Sequence, residues 1–474
     1  MLTFEPYSLA SLQRILPYLK KSDPTINDLT AGSLFLWEVD TDLSFCVRND
    51  TLVVCQKVGE QPAFSYPIGK DPTGMIDELL CYIKEKNLPL RFFAVDERTL
   101  EKIQKDDRLK SPMWSYDERW SDYIYSFDEA KTFAGRKYSG QRNHVNKFRK
   151  LYGEPDIRRL TPADLPAVAK MLAEYETEHP DAGLLERIEL SQTKNLLAVY
   201  ETLGLYAVGL FVKDELAAFA IGEVVGKTLF IHVEKALRRF EGAYPTIYSG
   251  FVRLVDSLAD QPLCLVDRED DSGDMGLRIS KMQYHPIEKR NKYLVHVDSP
   301  AAKIPKDILL AAGDVFLTSF RETDKQVYYI LNTDIENNRY WGYDYREDAS
   351  LTGSIDENTF YDSAVFDMQV GDSINFAIRL APAGEMIGEA ILWNFTFNGT
   401  CELGCRILPA YQGRGYGKAA FSAAATFAEQ TLGLSVIARC DKQNTASRHM
   451  IEDAGFSLTR QDESYFYFDR KTKT

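Results

Sequence analysis

The chain has 474 residues, of which 45% are hydrophobic and 27% charged, and a formal net charge of −14. That length exceeds one ordinary core and predicts about three domains, with the composition of a globular protein. The acidic excess argues against nucleic-acid binding driven by broad phosphate attraction.

No run approaches the ~20 apolar residues that span a bilayer, so no membrane insertion is expected. Met1-Leu2-Thr3-Phe4-Glu5-Pro6 lacks the basic and apolar regions of a secretory signal. The seven cysteines are scattered and match neither a disulfide framework nor a zinc site. A reducing cytoplasm and no metal are the expectations.

In chain order, apolar runs predict strands at Leu34–Val39, Leu43–Val47 and Leu52–Gln56, a helix over Met75–Lys86 and a strand at Leu90–Val95. Between Lys131 and Gly153 lie seven Lys or Arg residues and no acid. This run is either a solvated helix face or a dock for an anionic ligand. Gly153-Glu154-Pro155 reads as a linker. Beyond it, Tyr206–Val212, Leu216–Val225 and Thr228–Val233 form a predicted meander. A helix through Ile247–Leu258, a strand Leu263–Asp267, a helix Gly276–Met282 and a strand Tyr293–Val297 follow.

Past a second linker, Ser299–Pro305, the same order recurs. Strands are predicted at Ile374–Leu380, Met386–Trp393 and Cys401–Leu408, then a helix from Tyr416 to about Gln430. A strand Ser435–Cys440, a helix Asn444–Ala454 and strands near Ser457 and Tyr465–Phe468 close the unit. The fold class is therefore α/β with mixed sheets, in three successive units at 1–153, 154–300 and 308–474.

The strongest chemical signal is Gln412-Gly413-Arg414-Gly415-Tyr416-Gly417-Lys418, which joins a strand to a helix. Glycines let backbone approach a ligand closely. The helix start turns unpaired N–H groups and positive potential toward the loop, a cradle for a pyrophosphate. The counterpart in the middle unit, Arg238 to Pro245, has one glycine and a proline, so it lacks that cradle.

Gln412, Gly415 and Gly417 resemble the Q-x-x-G-x-G signature of GNAT N-acetyltransferases. Asn444-Thr445-Ala446-Ser447 and Gly455-Phe456 resemble that family's second block. Ser447 and Asn338-Arg339-Tyr340-Trp341 resemble most the ribosomal-protein N-terminal acetyltransferase subgroup. The resemblance covers Asp314 to Arg470 and implies a GNAT fold that holds acetyl-coenzyme A at Gln412–Lys418 and Asn444. It also implies that backbone N–H groups of Arg406, Ile407 and Leu408 support the thioester carbonyl.

By the same resemblance Ser447 substitutes as the thiol's acid, because Ile451 stands where many members carry a tyrosine. A helix cap is its alternative role. Glu402 alternates with Arg406 on one strand face. It is either the group that takes the amine's proton or a carboxylate paired with Arg406. Cys401, Cys405 and Cys440 also fall on strands at this site, where a buried cysteine commonly acts as a small hydrophobe.

Upstream, Asp267-x-Glu269-x-Asp271-x-Gly273 with Gly276-Leu277-Arg278, Lys281 and Tyr284-x-Pro286 resembles the C-terminal domain of phosphatidylglycerol lysyltransferases. So do Gly135-Arg136-Lys137-Tyr138, Arg142-Asn143 and His232-Val233-Glu234-Lys235-Ala236. The resemblance covers roughly Asp23 to Val297 and implies a tandem of two GNAT-like folds, so that the chain holds three. By it, Asp271, Arg278 and Lys281, with His232 and Lys235, line a substrate pocket. Arg142 then lies near a tRNA end, making tRNA a possible partner of the basic segment 131–153. A buried ion network is the alternative for Asp271, Arg278 and Lys281.

The functional expectation is a bacterial-type acyltransferase that moves acetyl from acetyl-coenzyme A to a primary amine, a peptide N-terminus or a small cation. The tandem unit then adds acceptor recognition or a second transfer. From Ile308 onward 15 bases face 23 acids, a net of −8 that suits a cationic acceptor. The competing expectations are an aminoacyl-tRNA-dependent transferase with a regulatory C-terminal third, and a non-catalytic acyl-coenzyme A sensor. Acceptor choice is expected in the loops Asn338–Phe360 and Phe395–Thr400.

Overall fold

The computed structural model of the protein describes residues 2–59, 61–180, 183–305, 307–341 and 355–470. Three mixed sheets carry helices on their faces, and each combines one parallel strand pairing with antiparallel ones. The first sheet runs in the order Glu5–Pro6, Ser44–Arg48, Thr51–Val58, Gln61–Phe64, Leu90–Val95, Tyr293–Val297, Met113–Tyr116. The second runs Glu288–Arg290, Asp122–Ser126, Leu265–Asp267, Thr228–Ala236, Glu215–Val225, Tyr206–Val212, Asp156–Arg159.

The meander of the second sheet forms where the sequence places it. Lys213 and Asp214 both adopt positive φ, 49° and 66°, the twist that suits a two-residue hairpin between right-twisted strands. The sheets do not follow the boundary expected at 153, however. Asp122–Ser126 pairs with Leu265–Asp267 and Glu288–Arg290 in the second sheet. Tyr293–Val297, expected to end the middle unit, instead lies between Leu90–Val95 and Met113–Tyr116 in the first. A short apolar, β-branched run makes a strand of Tyr293–Val297, but its consecutive buried residues Leu294, Val295, His296 and Val297 need a slot covered on both faces, and the first sheet supplies it. The first two units also share one apolar core, in which Leu12 and Leu36 join Val208 and Phe251.

A second correction concerns Leu34–Val39. The structure has a helix at Ala31–Leu36 and a 3-10 turn at Glu38–Asp40. All six residues of that helix are buried, and a continuous apolar run has no period to separate strand from buried helix.

The third sheet is ordered Leu309–Ala312, Val315–Thr318, Ile374–Arg379, Met386–Trp393, Thr400–Ile407, Ser435–Asp441, Tyr465–Arg470, Phe456–Gln461. From Ile374 onward its bounds follow the sequence expectation closely, whereas the edge strands Leu309–Ala312 and Val315–Thr318 were not expected. The helix Glu357–Val370 packs on Met113–Tyr116 and Tyr293–Val297, the far edge of the first sheet. At that seam Arg91 Nη2 contacts Asp372 Oδ2 at 2.5 Å and His296 Nδ1 contacts Asp372 Oδ1 at 2.9 Å. Burial pushes the Asp372 carboxyl up, but the His296 hydrogen bond and the Arg91 charge outweigh it and hold the group below its usual range. Gln61 Nε2 donates to Asn394 Oδ1 at 2.6 Å, and Asn398 N–H donates to Asn87 Oδ1 at 2.8 Å.

Candidate active site

Thr400–Ile407 and Ser435–Asp441 pair in parallel only from Thr400↔Ser435 to Glu402↔Ile437. Beyond Glu402 the two strands part, and a cleft of about 1110 Å³ opens between them. Leu408 N–H donates to the Ile387 carbonyl at 2.9 Å. Main-chain groups alternate sides along a strand, so the Arg406 N–H also turns toward Met386–Trp393. Of the three expected carbonyl supports, only Ile407 directs its N–H into the opening. Cys405, two residues earlier, shares that direction, a role that a reading without strand register could not assign.

Gln412 Nε2 donates to the Ile407 carbonyl at 2.9 Å and to Asn337 Oδ1 at 2.7 Å, closing the loop onto the strand end. Gly413 and Gly415 adopt φ of +71° and +81°, and an added Cβ at either would meet nothing within 4 Å. The space a side chain would occupy is open. The first intrahelical bond of Tyr416–Thr431 is Ala419 N–H to Gly415 C=O at 3.1 Å. The N–H groups of Tyr416, Gly417 and Lys418 precede it and face the loop region as an anion-binding helix start. Arg414 is exposed at the rim, and Lys418 pairs with Asp453 at 3.0 Å.

Glu402, Gly404 and Arg406 share the opposite face of the strand. Glu402 does not pair with Arg406. Its Oε1 lies 2.8 Å from Arg439 Nε, and its Oε2 accepts from Asn394 at 3.0 Å. Arg406 instead pairs with Glu389, directly across the antiparallel ladder, at 2.8 Å, and donates to Asn332 and Asn338. Glu389 also accepts from Tyr328 and Asn375, so this buried network has every charge matched. At Gly404 an added Cβ would meet Trp341 and Trp393 at 2.8 Å. The absent side chain lets both indoles lie against the strand.

Asn444 Oδ1 accepts the Ser447 N–H at 3.0 Å and caps Thr445–Asp453. The cap is therefore Asn444, and Ser447 lines the cleft from the first helical turn. Ile451 is buried in the core. Cys405 and Cys440 also line the cleft. Burial pushes their thiols up to about 12 and about 11, so both stay protonated at neutral pH.

The first sheet completes the cleft. Gln61, Arg91, Leu294 and His296 line the same cavity as Trp393 and Glu402. Of the acceptor loop expected at Asn338–Phe360, residues 342–354 lie outside the described residues.

The residues expected to serve the N-terminal unit are placed apart from this cleft; none of the six lines it. Asp271 holds Arg278 through contacts of 2.9 and 3.0 Å and accepts from Tyr123 at 2.6 Å. Lys281 Nζ donates to the carbonyls of Arg268 and Asp270. His232 is buried between Glu269 at 2.8 Å and Glu223 at 3.1 Å. Burial alone would lower its pKa, but the two carboxylate bonds raise it to about 10. Lys235 pairs with Glu189 at 3.1 Å, and Arg142 donates to the carbonyls of Phe133 and Gly135. In the basic segment, Lys131, Lys137, Lys147 and Arg149 each pair with a carboxylate. Much of that charge is spent locally. No helix among the described residues is long and apolar enough to cross a membrane.

Three mixed sheets, the last splayed over a glycine loop and a helix start, define a protein built of acyltransferase-type domains. Residues 20–296 match the family described as phosphatidylglycerol lysyltransferase, C-terminal, and residues 314–457 match the acetyltransferase (GNAT) domain. The chain belongs to the first family and carries a GNAT domain after it. A conserved protein of unknown function from Bacteroides thetaiotaomicron is similar at 27% identity and a TM-score of 0.57, over 63% of this chain and 100% of that one. L-PGS from Bacillus licheniformis aligns at 16% identity and a TM-score of 0.44, over 62% of this chain and 93% of that one. An uncharacterized protein of Mycoplasmoides gallisepticum is 24% identical over 181 residues, 38% of this chain. The match spans 57% of that relative's length.

Proposed function

We propose that the protein is an acetyl-coenzyme A-dependent N-acetyltransferase whose third domain acetylates a primary amine, with the tandem unit walling the acceptor's side of the cleft. The observation that carries this reading is the splay after Glu402, which opens between Ile407 and Cys405 N–H donors and ends on the Gly413–Gly415 cradle. Acetyl-coenzyme A supplies a thioester carbonyl and a thiolate leaving group. The loop N–H groups and the start of Tyr416–Thr431 hold the pyrophosphate. The Ile407 and Cys405 N–H groups stabilise charge developing on the carbonyl oxygen. Glu402, fixed by Arg439 and Asn394, takes the amine's proton directly or through water, and Ser447 protonates the departing sulfur. The indoles of Trp341 and Trp393 provide an apolar and π-rich wall for a cationic acceptor.

Calorimetric titration of acetyl-coenzyme A into the wild type and Gly415→Glu tests the donor. Micromolar binding that disappears in the variant supports the reading, and absence of binding in both sinks it. Thiol release with an amine panel then tests turnover.

A further inference from the structure

Resting on the proposed amine acetylation, we infer that the acceptor is a diamine, with one amine presented to the splay and the second ammonium held at Asp367 in the seam between the GNAT domain and the first sheet. The cleft runs without interruption from Gly415 and Ser447 at the cradle to His296 and Asp367 at the seam. A single-ended acceptor would leave the seam portion of that cavity without a matching group.

The charges along the wall are unevenly satisfied. Arg91, Arg406 and Arg439 are each tied to a carboxylate, Asp372, Glu389 and Glu402 respectively. Asp367 lines the same wall, yet among the described residues no donor reaches its carboxylate within hydrogen-bond distance. It lies near the end of the Glu357–Val370 helix, five residues before Asp372. The charged groups that act on it are Asp372, just past the helix end, and Arg91 on Leu90–Val95, while His296 on Tyr293–Val297 lines the same cavity. Arg91 and His296 both direct their hydrogen bonds at Asp372.

A partly buried carboxylate beside a second one, with the available cation committed elsewhere, favours a proton or an incoming cation. Burial and the Asp372 charge together push the Asp367 carboxyl up to about 7. An ammonium offers it a charge-assisted partner, and the wall supplied by Trp341 and Trp393 suits the methylene chain between two amines. Monoamines and peptide N-termini satisfy the splay but leave Asp367 unmatched.

The test compares diaminobutane with butylamine by calorimetry on the full chain, in the wild type and Asp367→Asn, without donor so that the result is independent of turnover. The expected outcome is at least about tenfold tighter diamine binding in the wild type and loss of that preference in the variant, a difference of about 1.4 kcal/mol. In the wild type the preference should grow from about pH 6 to about pH 8, because Asp367 gains its charge there while both amines stay protonated. This second measurement needs no variant and stands if Asp367→Asn fails to fold. Equal binding of the two amines overturns the inference, as does a pH-dependent preference retained in Asp367→Asn. If acetyl-coenzyme A binds and butylamine is acetylated as efficiently as diaminobutane, the transferase reading survives and the diamine reading falls. If acetyl-coenzyme A does not bind but the diamine preference holds, the donor assignment falls and the seam site stands.

Discussion

The second and third sheets present the same local design with opposite outcomes. In both, a strand pairs in parallel with its neighbour for three residues and then diverges, Thr228–Ala236 from Leu265–Asp267 and Thr400–Ile407 from Ser435–Asp441. In both, a glycine with positive φ caps the following helix, Gly242 at +84° and Gly415 at +81°. The difference is what occupies the space in front. An added Cβ at Gly415 would meet nothing within 4 Å, whereas at Gly242 it would strike the His144 carbonyl oxygen at 2.3 Å. The chain's own helix Ser139–Tyr152 fills the position where a ligand would sit. Likewise, the opening beyond Phe230 is packed by His232, which touches Gly32 of the first unit and is held by Glu223 and Glu269. A splay and a capped helix leave room for a ligand only where the rest of the chain does not fill them.

The largest expected effect comes from filling the open cradle. Gly415→Glu places a carboxylate at the helix start proposed to hold the pyrophosphate and forces φ of +81° on a residue with a Cβ. Affinity for acetyl-coenzyme A should fall by at least about 100-fold in calorimetry. An unchanged affinity would erase the contrast with Gly242. Next is the network under the site. Glu389→Ala leaves Arg406 buried without its counterion, and denaturant unfolding should show a loss of about 3–5 kcal/mol. Glu402→Gln keeps the shape but cannot accept a proton. Its kcat should drop about 100-fold with little change in donor affinity, and an unaffected kcat would return Glu402 to a purely structural pair with Arg439. The smallest effect sharpens the comparison directly. Gly242→Ala should destabilise the chain by about 1–3 kcal/mol through strain and the His144 clash, while Gly415→Ala meets no neighbour and should cost less. Paired unfolding curves that rank the other way would mean the cradle at Gly415 is not open.

Much of the third sheet was legible in the sequence because its signals are local. A mostly apolar run closed off by turn residues set the bounds of Met386–Trp393, and the glycines between a strand and a helix marked the loop. Leu34–Val39 was misread as a strand because the short apolar run Leu34–Trp37 carries no period. The site was legible only in part. Gln412, Gly415 and Asn444 occupy structural positions consistent with their motifs, but Glu402 was given the wrong neighbour. Period two puts Glu402 and Arg406 on one face, yet the cross-strand partner Glu389 is closer to Arg406 than Glu402, four positions along its own strand.

The amino-acid sequence by itself determined most strands and helices of the second and third sheets, the resemblance to two acyltransferase families and the glycine-rich character of the Gln412–Lys418 loop, all properties of contiguous residues. Tertiary structure alone decided which sheet received Tyr293–Val297, which N–H groups face the opening, that the helix Ser139–Tyr152 closes one splay, and that Asp367 meets the first sheet at the wall of the other. Those outcomes depend on pairings between residues tens to hundreds of positions apart, where every local signal is equally satisfied by several partners and only simultaneous burial of the whole chain selects one.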